Sequence, residues 1–215
     1  AKLEQMRAMG VEPYGGAYPD TSAAAQLVAS YSADKEGTRA RVAGRLAAIR
    51  GHGKSTFADV RDWSGKIQVH VGLDRVGEEQ YAFVRLLDIG DIIGVEGQLG
   101  QTRTGEVTVF AERVTVLSKA LLPLPEKHHG LRDIEICSRH RSLDLIANPE
   151  SMKQALDRSR IVSAIRQFLI GRGFVEVETP MMQPIPGGAA ALPFITHRNA
   201  LDIDLYLRVS PELYL

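Results

Sequence analysis

A phenylalanine on the polar side of an alternating strand is the first residue whose position suggests chemistry. In Thr56-Phe57-Ala58-Asp59-Val60-Arg61 the small and branched apolar residues Ala58 and Val60 share one face, so Phe57 falls on the other with Asp59 and Arg61. An aromatic ring on the open face of a small barrel is a platform on which a nucleobase can stack. Gln68 lies on the polar face of the next strand, and its amide both donates and accepts, which suits reading a base edge. Arg50 is nearby, and residues 36–66 carry an excess of four positive charges. The same residues also fit a plainer account, in which Trp63 or N-terminal helices half-cover the Phe57 ring and solvated arginines surround it. The residues alone leave both readings open.

Two other spacings suggest chemistry and do not develop it. Gly51-His52-Gly53-Lys54 has the flavour of a phosphate loop but lacks its full spacing and the helix that should follow, so it reads as a hairpin turn. His128-His129 offers two ligating side chains, but adjacent histidines point apart and no further ligand cluster accompanies them, so no metal is expected.

The elements that must position these residues follow from periodicity. Lys2 to Met9 has helical composition and stops at Gly10, and a second short helix is expected after Asp20 and Thr21 to about Tyr31. From Arg39 the period becomes two. Strands are expected at 42–50, 56–61, 66–71, 91–99 and 106–117, with Asp62-Trp63-Ser64-Gly65 as the turn between the second and third. In the last strand Val107 and Val109 are out of phase with Val114 and Val116, which calls for a bulge near 111–113. Helical spacing through Tyr81, Val84 and Leu87 puts a helix between the third and fourth strands. Five short strands with that helix are the layout of an OB-fold barrel. The expected domains are a helical extension over 1–37, the barrel over 38–121, a stiff linker over 122–147 around Leu122-Pro123-Leu124-Pro125, and a second unit over 148–215. In that second unit Asn148 and Pro149 open a helix to about Ile170, and 174–178 reads as a strand ending at Thr179-Pro180.

Composition sets the frame. With 26 basic and 26 acidic residues, 44% hydrophobic and 24% charged, the 215-residue chain is of ordinary globular type, and net charge gives no general signal for nucleic acid. There is no apolar run of membrane-spanning length, the first residues lack the apolar stretch of a secretory signal, and Cys137 is the single cysteine; a cytoplasmic, reducing location is expected.

The densest signal is at the end: Glu178-Thr179-Pro180-Met181-Met182, Pro186-Gly187-Gly188, Leu205-Tyr206-Leu207-Arg208 and Pro211-Glu212-Leu213-Tyr214. Together with 51–65, 87–97 and 122–130, these stretches closely resemble class II lysyl-tRNA synthetases, over the anticodon-binding domain and the start of the catalytic domain. The resemblance implies an α+β protein: an OB-fold barrel with N-terminal helices, then the motif 1 helix and strand of a class II antiparallel-sheet domain. It implies anticodon binding by Phe57, Gln68 and Arg50 in a lysine tRNA. It implies a homodimer through motif 1, with Ile165, Phe168 and Pro180 at the interface, and a lysine pocket that includes Gly188 and Glu212. Glycine at 188 would let the backbone approach the substrate, and the Glu212 carboxylate would face an ammonium group.

For the full enzyme the resemblance implies ATP and magnesium, with lysyl-adenylate formed first and the lysyl group then transferred to tRNA. The second and third motifs of the family would follow Leu215, so this chain alone is expected to carry no catalytic residue, to hold neither ATP nor magnesium tightly and to be inactive. Its start at Ala1 reads as a missing beginning. The competing class is a truncated, non-catalytic RNA-binding OB-fold protein, distinguished by whether a stop codon follows Leu215; a degenerate fragment unstable past Ser118 is a further one. Departures from the family pattern fall at Cys137, Ser138, His140 and Ser142, where packing is expected to weaken. Ala190 and Leu192 depart too, with a basic side chain lost at the latter, and Arg113 stands where the family is often acidic.

Overall fold

A computed structural model describes residues 2–125 and 130–215, which divide into two compact units, 1–147 and 148–215. The His128-His129 pair lies outside the described residues.

In the first unit, α1 (Lys2–Ala8) and α2 (Ala24–Ser30) precede β1 (Arg39–His52), β2 (Ser55–Arg61) and β3 (Lys66–Gly72). Two short helices, α3 (Leu73–Val76) and α4 (Glu78–Val84), lead to β4 (Ile92–Gln101) and β5 (Val107–Ser118). The strands close into a barrel in the order β1-β2-β3-β5-β4, with β3 and β5 parallel and the other pairs antiparallel. This is the OB-fold expected from the strand pattern, with its helices between the third and fourth strands. Val42, Leu46, Val60, Ile67, Val69, Val95, Val109 and Val116 are buried inside, which accounts for the apolar half of each alternating run. Gly51-His52-Gly53-Lys54 is a hairpin turn: His52 pairs with Ser55, and Gly53 takes a φ of 60°. The phase break in β5 is a bulge. Glu96 pairs with Arg113 and Gly97 with Ala111, so Glu112 is the extra residue, and Val109, Val114 and Val116 all remain inward.

The N-terminal extension is tied to the barrel by specific bonds. The amides of Ala24 and Ala25, at the start of α2, donate to Asp62 Oδ2 at 2.8 Å and Ser64 Oγ at 3.0 Å in the β2–β3 turn. Tyr18 lies over Gly94, where any side chain would collide with its ring, and its hydroxyl donates to Glu96 at 3.2 Å. Lys119 is buried and donates to Asp91 at 2.9 Å and to Asp88 at 2.8 Å, and Lys2 of α1 also pairs with Asp88. Burial alone would lower the Lys119 pKa, but its bonds to Asp88 and Asp91 outweigh that and raise it.

The 122–147 stretch, expected as an extended linker, carries two short helices, α5 (Ile134–Arg139) and α6 (Arg141–Ala147). Asp133 caps α5 by accepting from the Ile136 amide at 3.0 Å, and Asp144 of α6 is buried against Arg141. The Pro-rich segment before them masked this helical content in the sequence. Ser138, His140 and Ser142 are exposed here.

The second unit opens with α7 (Pro149–Ile170), the helix expected from Asn148-Pro149. A three-stranded sheet follows, ordered β6 (Met182–Gln183), β8 (Ile203–Leu207), β7 (Ile195–Arg198). One expectation fails: residues 174–178 form no strand. Phe174, Val175 and Val177 are exposed, and the segment finds no ladder partner among the described residues, so its β-prone residues have nothing to pair with.

Candidate nucleic-acid interface

The register of the barrel assembles the open face in rows, because residues paired across neighbouring strands present their side chains on the same side. The first row is Arg50, Phe57, His70 and Phe110, drawn from β1, β2, β3 and β5. Phe57 and His70 have ring centroids 4.7 Å apart, and His70 and Phe110 5.5 Å. These rings, with Arg50, Gln68 and residues 101–104 of the β4–β5 hairpin, line a cavity of 540 Å³. Trp63 is 89% exposed in the turn, and the Phe57 ring packs against His70. Burial holds the His70 imidazole below its ordinary 6.5; Asp74 opposes this and Arg75 reinforces it.

The second row is Asp59, Gln68 and Thr108. Gln68 is buried and oriented, not free: its Nε2 donates to Glu106 Oε2 at 3.0 Å, and its Oε1 accepts from Thr108 Oγ1 at 2.8 Å. Each end of the amide keeps one further hydrogen-bonding position, so the network fixes its orientation without exhausting it. Asp59, on the polar side of the alternation, is also buried, between Arg50 at 3.6 Å and Lys66 at 3.4 Å. The structure thus brings Phe57, Gln68 and Arg50 together.

His70, Phe110 and Thr108 escape sequence reasoning. His70 carries a signal, as the cross-strand neighbour of Phe57 in the hairpin register. Phe110 and Thr108 arrive by the parallel β3–β5 pairing, which joins strands forty residues apart and leaves no local trace. Arg113 lies beyond the bulge and lines a different cavity with Met9, Glu79 and Phe83, so β5 reaches the aromatic site through Thr108 and Phe110.

In the second unit Gly188 and Glu212 approach the same residue, Ser210. Gly188 has a φ of 89°, and a Cβ on it would come within 2.6 Å of Ser210 Cβ. The Glu212 amide donates to Ser210 Oγ at 3.3 Å, and the Glu212 side chain is exposed. Ile165, Phe168 and Pro180 are exposed as well, with the Arg172 guanidinium 4.1 Å from the centre of the Phe168 ring. Leu192 is fully exposed and Ala190 exposed. Among the described residues no group of three or more His, Cys, Asp or Glu side chains lies close enough together to hold a metal ion. No described helix is long and apolar enough to cross a membrane.

The barrel with its aromatic, polar-lined open face is an OB-fold, a class of domain that binds oligonucleotides, and a long helix and a small antiparallel sheet follow it in the chain. Comparison with known proteins agrees. Residues 40–117 match the OB-fold nucleic acid binding domain family, and residues 133–215 match the class II tRNA synthetases (D, K and N). The chain is 55% identical over 214 residues to the lysine–tRNA ligase of Pelotomaculum thermopropionicum, which takes in 100% of this chain and 42% of that protein. It is 52% identical to the lysine–tRNA ligase of Carboxydothermus hydrogenoformans and 51% identical to that of Moorella thermoacetica, again over 100% of this chain and 44% of each relative. Over its whole length the chain is similar to the N-terminal portion of class II lysyl-tRNA synthetases. It spans less than half the length of these relatives.

Proposed function

We propose that this chain is the anticodon-binding and early catalytic portion of a cytoplasmic lysine–tRNA ligase, an enzyme that activates lysine with ATP and magnesium and transfers it to its tRNA. The observation that carries the reading is the row of Arg50, Phe57, His70 and Phe110 above an oriented Gln68. In this reading an anticodon base stacks on Phe57, the remaining donor and acceptor of Gln68 read its edge, and Arg50 faces the phosphate or a base edge.

In the second unit, Gly188 lets substrate approach the backbone and the Glu212 carboxylate holds an amino group of lysine. The contact through Ser210 supports this, since it relates the two residues to one side chain. The exposed apolar residues of α7, Ile165 and Phe168 among them, and the exposed Pro180 support a homodimer through this segment. ATP and magnesium chemistry belongs to the whole ligase, and no catalytic residue is assigned in this chain. The test is lysine-dependent exchange between ATP and pyrophosphate by the complete gene product. Exchange with lysine and not with other amino acids is expected; no lysine-dependent exchange contradicts the proposal.

A further inference from the structure

Beyond the aromatic and polar rows, the same face of the barrel carries a third. Arg45 of β1 pairs with Arg61 of β2, and Arg61 with Lys66 of β3, so three cations stand side by side. Like charges directly opposite one another destabilise a sheet. Lys66 is partly relieved by Asp59 at 3.4 Å and Glu106 at 3.9 Å, and Arg45 donates to the Gly90 carbonyl at 2.9 Å, but no ion pair relieves Arg61 among the described residues. A row that repels itself is what a polyanion would neutralise.

The turn next to this row presents Trp63. Its indole is 89% exposed, although the turn beneath it is unusually tied down. Asp62 Oδ1 accepts from the Ser64 amide at 2.8 Å, the Ser64 hydroxyl at 2.6 Å and the Gly65 amide at 2.9 Å, and the start of α2 clamps the turn from outside through Ala24 and Ala25. Burial would raise the Asp62 pKa, but these bonds outweigh it and hold the carboxyl below its ordinary 3.8. A large aromatic held out on a rigid turn meets little ordering cost on binding. Arg61 is four residues from Phe57 along one strand, about 13 Å at roughly 3.3 Å per residue. Trp63 follows it.

We infer that the RNA-binding face extends past the anticodon pocket, with Arg61 and Lys66 neutralising backbone phosphates and Trp63 stacking on an unpaired base outside the bases held at Phe57. This rests on the anticodon-binding reading of Phe57 and Gln68. It adds a second stacking platform and a phosphate contact to that site.

Trp63 is the single tryptophan of the chain, so its fluorescence reports on this position alone. The probe is the anticodon stem-loop of a lysine tRNA. Saturating stem-loop is expected to quench the emission. Trp63→Ala, followed with labelled RNA, is expected to weaken binding roughly 5- to 150-fold, the equivalent of one stacked base, and Trp63→Phe to restore much of it. Arg61→Gln is expected to lower the slope of log affinity against log salt by roughly 0.7, which loss of a purely structural arginine would not do. If the stem-loop binds in a Phe57-dependent way while the emission is unchanged and Trp63→Ala and Arg61→Gln bind like the parent, the extension is wrong and the anticodon pocket stands. If the stem-loop does not bind at all, both fail.

Discussion

Phe57 is the residue on which most of the proposed recognition turns. Its ring is half-buried against His70 and open toward a 540 Å³ cavity, so replacing it should leave the barrel intact and remove a platform. Phe57→Ala is expected to weaken binding of a lysine tRNA anticodon stem-loop by about 1 to 3 kcal/mol, measured by titration of the RNA, with little change in the thermal melt. Lys119 is the opposite case. It is buried on Asp91, which is itself fully buried, so Lys119→Met strands a carboxylate. A loss of about 3 kcal/mol in a urea melt is expected, with RNA affinity per folded molecule unchanged. At this scale sequence reasoning identifies outward residues by their types and alternation, which is enough to single out Phe57 and Gln68. It does not foresee that Gln68 is oriented by Glu106 and Thr108, or that Asp59 is buried beneath Arg50 and Lys66, because those contacts depend on which strands become neighbours.

Among the elements, the β2–β3 turn is the most strongly specified. Asp62 is ionised in the fold and holds four donors, one of them from α2. Because its folded pKa lies below 3.8, its contribution to stability is present above that value and disappears as pH falls through the lower folded one. Urea melts should therefore show stability falling below about pH 4, and Asp62→Asn should be less stable at pH 7 while losing less on acidification. An identical acid loss in the variant would assign it to other carboxylates. The turn, the hairpin at Gly53 and the bulge at Glu112 are legible in the sequence, since each rests on local chemistry or on a visible break in phase. The 174–178 segment shows the limit of that reasoning: Phe174, Val175 and Val177 have strand character, but a strand also needs a neighbour, and none of the described residues supplies one. The helices α5 and α6 were hidden for a related reason, as their short runs follow a segment dominated by proline.

For the whole molecule, the OB-fold match over 40–117 and the synthetase match over 133–215 point the same way, and binding by the barrel can be measured on this chain. The central claim is that the barrel reads an anticodon. The most direct measurement compares the affinity of this chain for the anticodon stem-loop of a lysine tRNA with its affinity for the same stem-loop carrying a substituted central anticodon base. The account predicts a clear preference for the lysine anticodon, roughly tenfold or more for one well-read base, and loss of that preference in Phe57→Ala and Gln68→Ala. Equal affinity for both stem-loops, or a preference indifferent to Phe57 and Gln68, would contradict it.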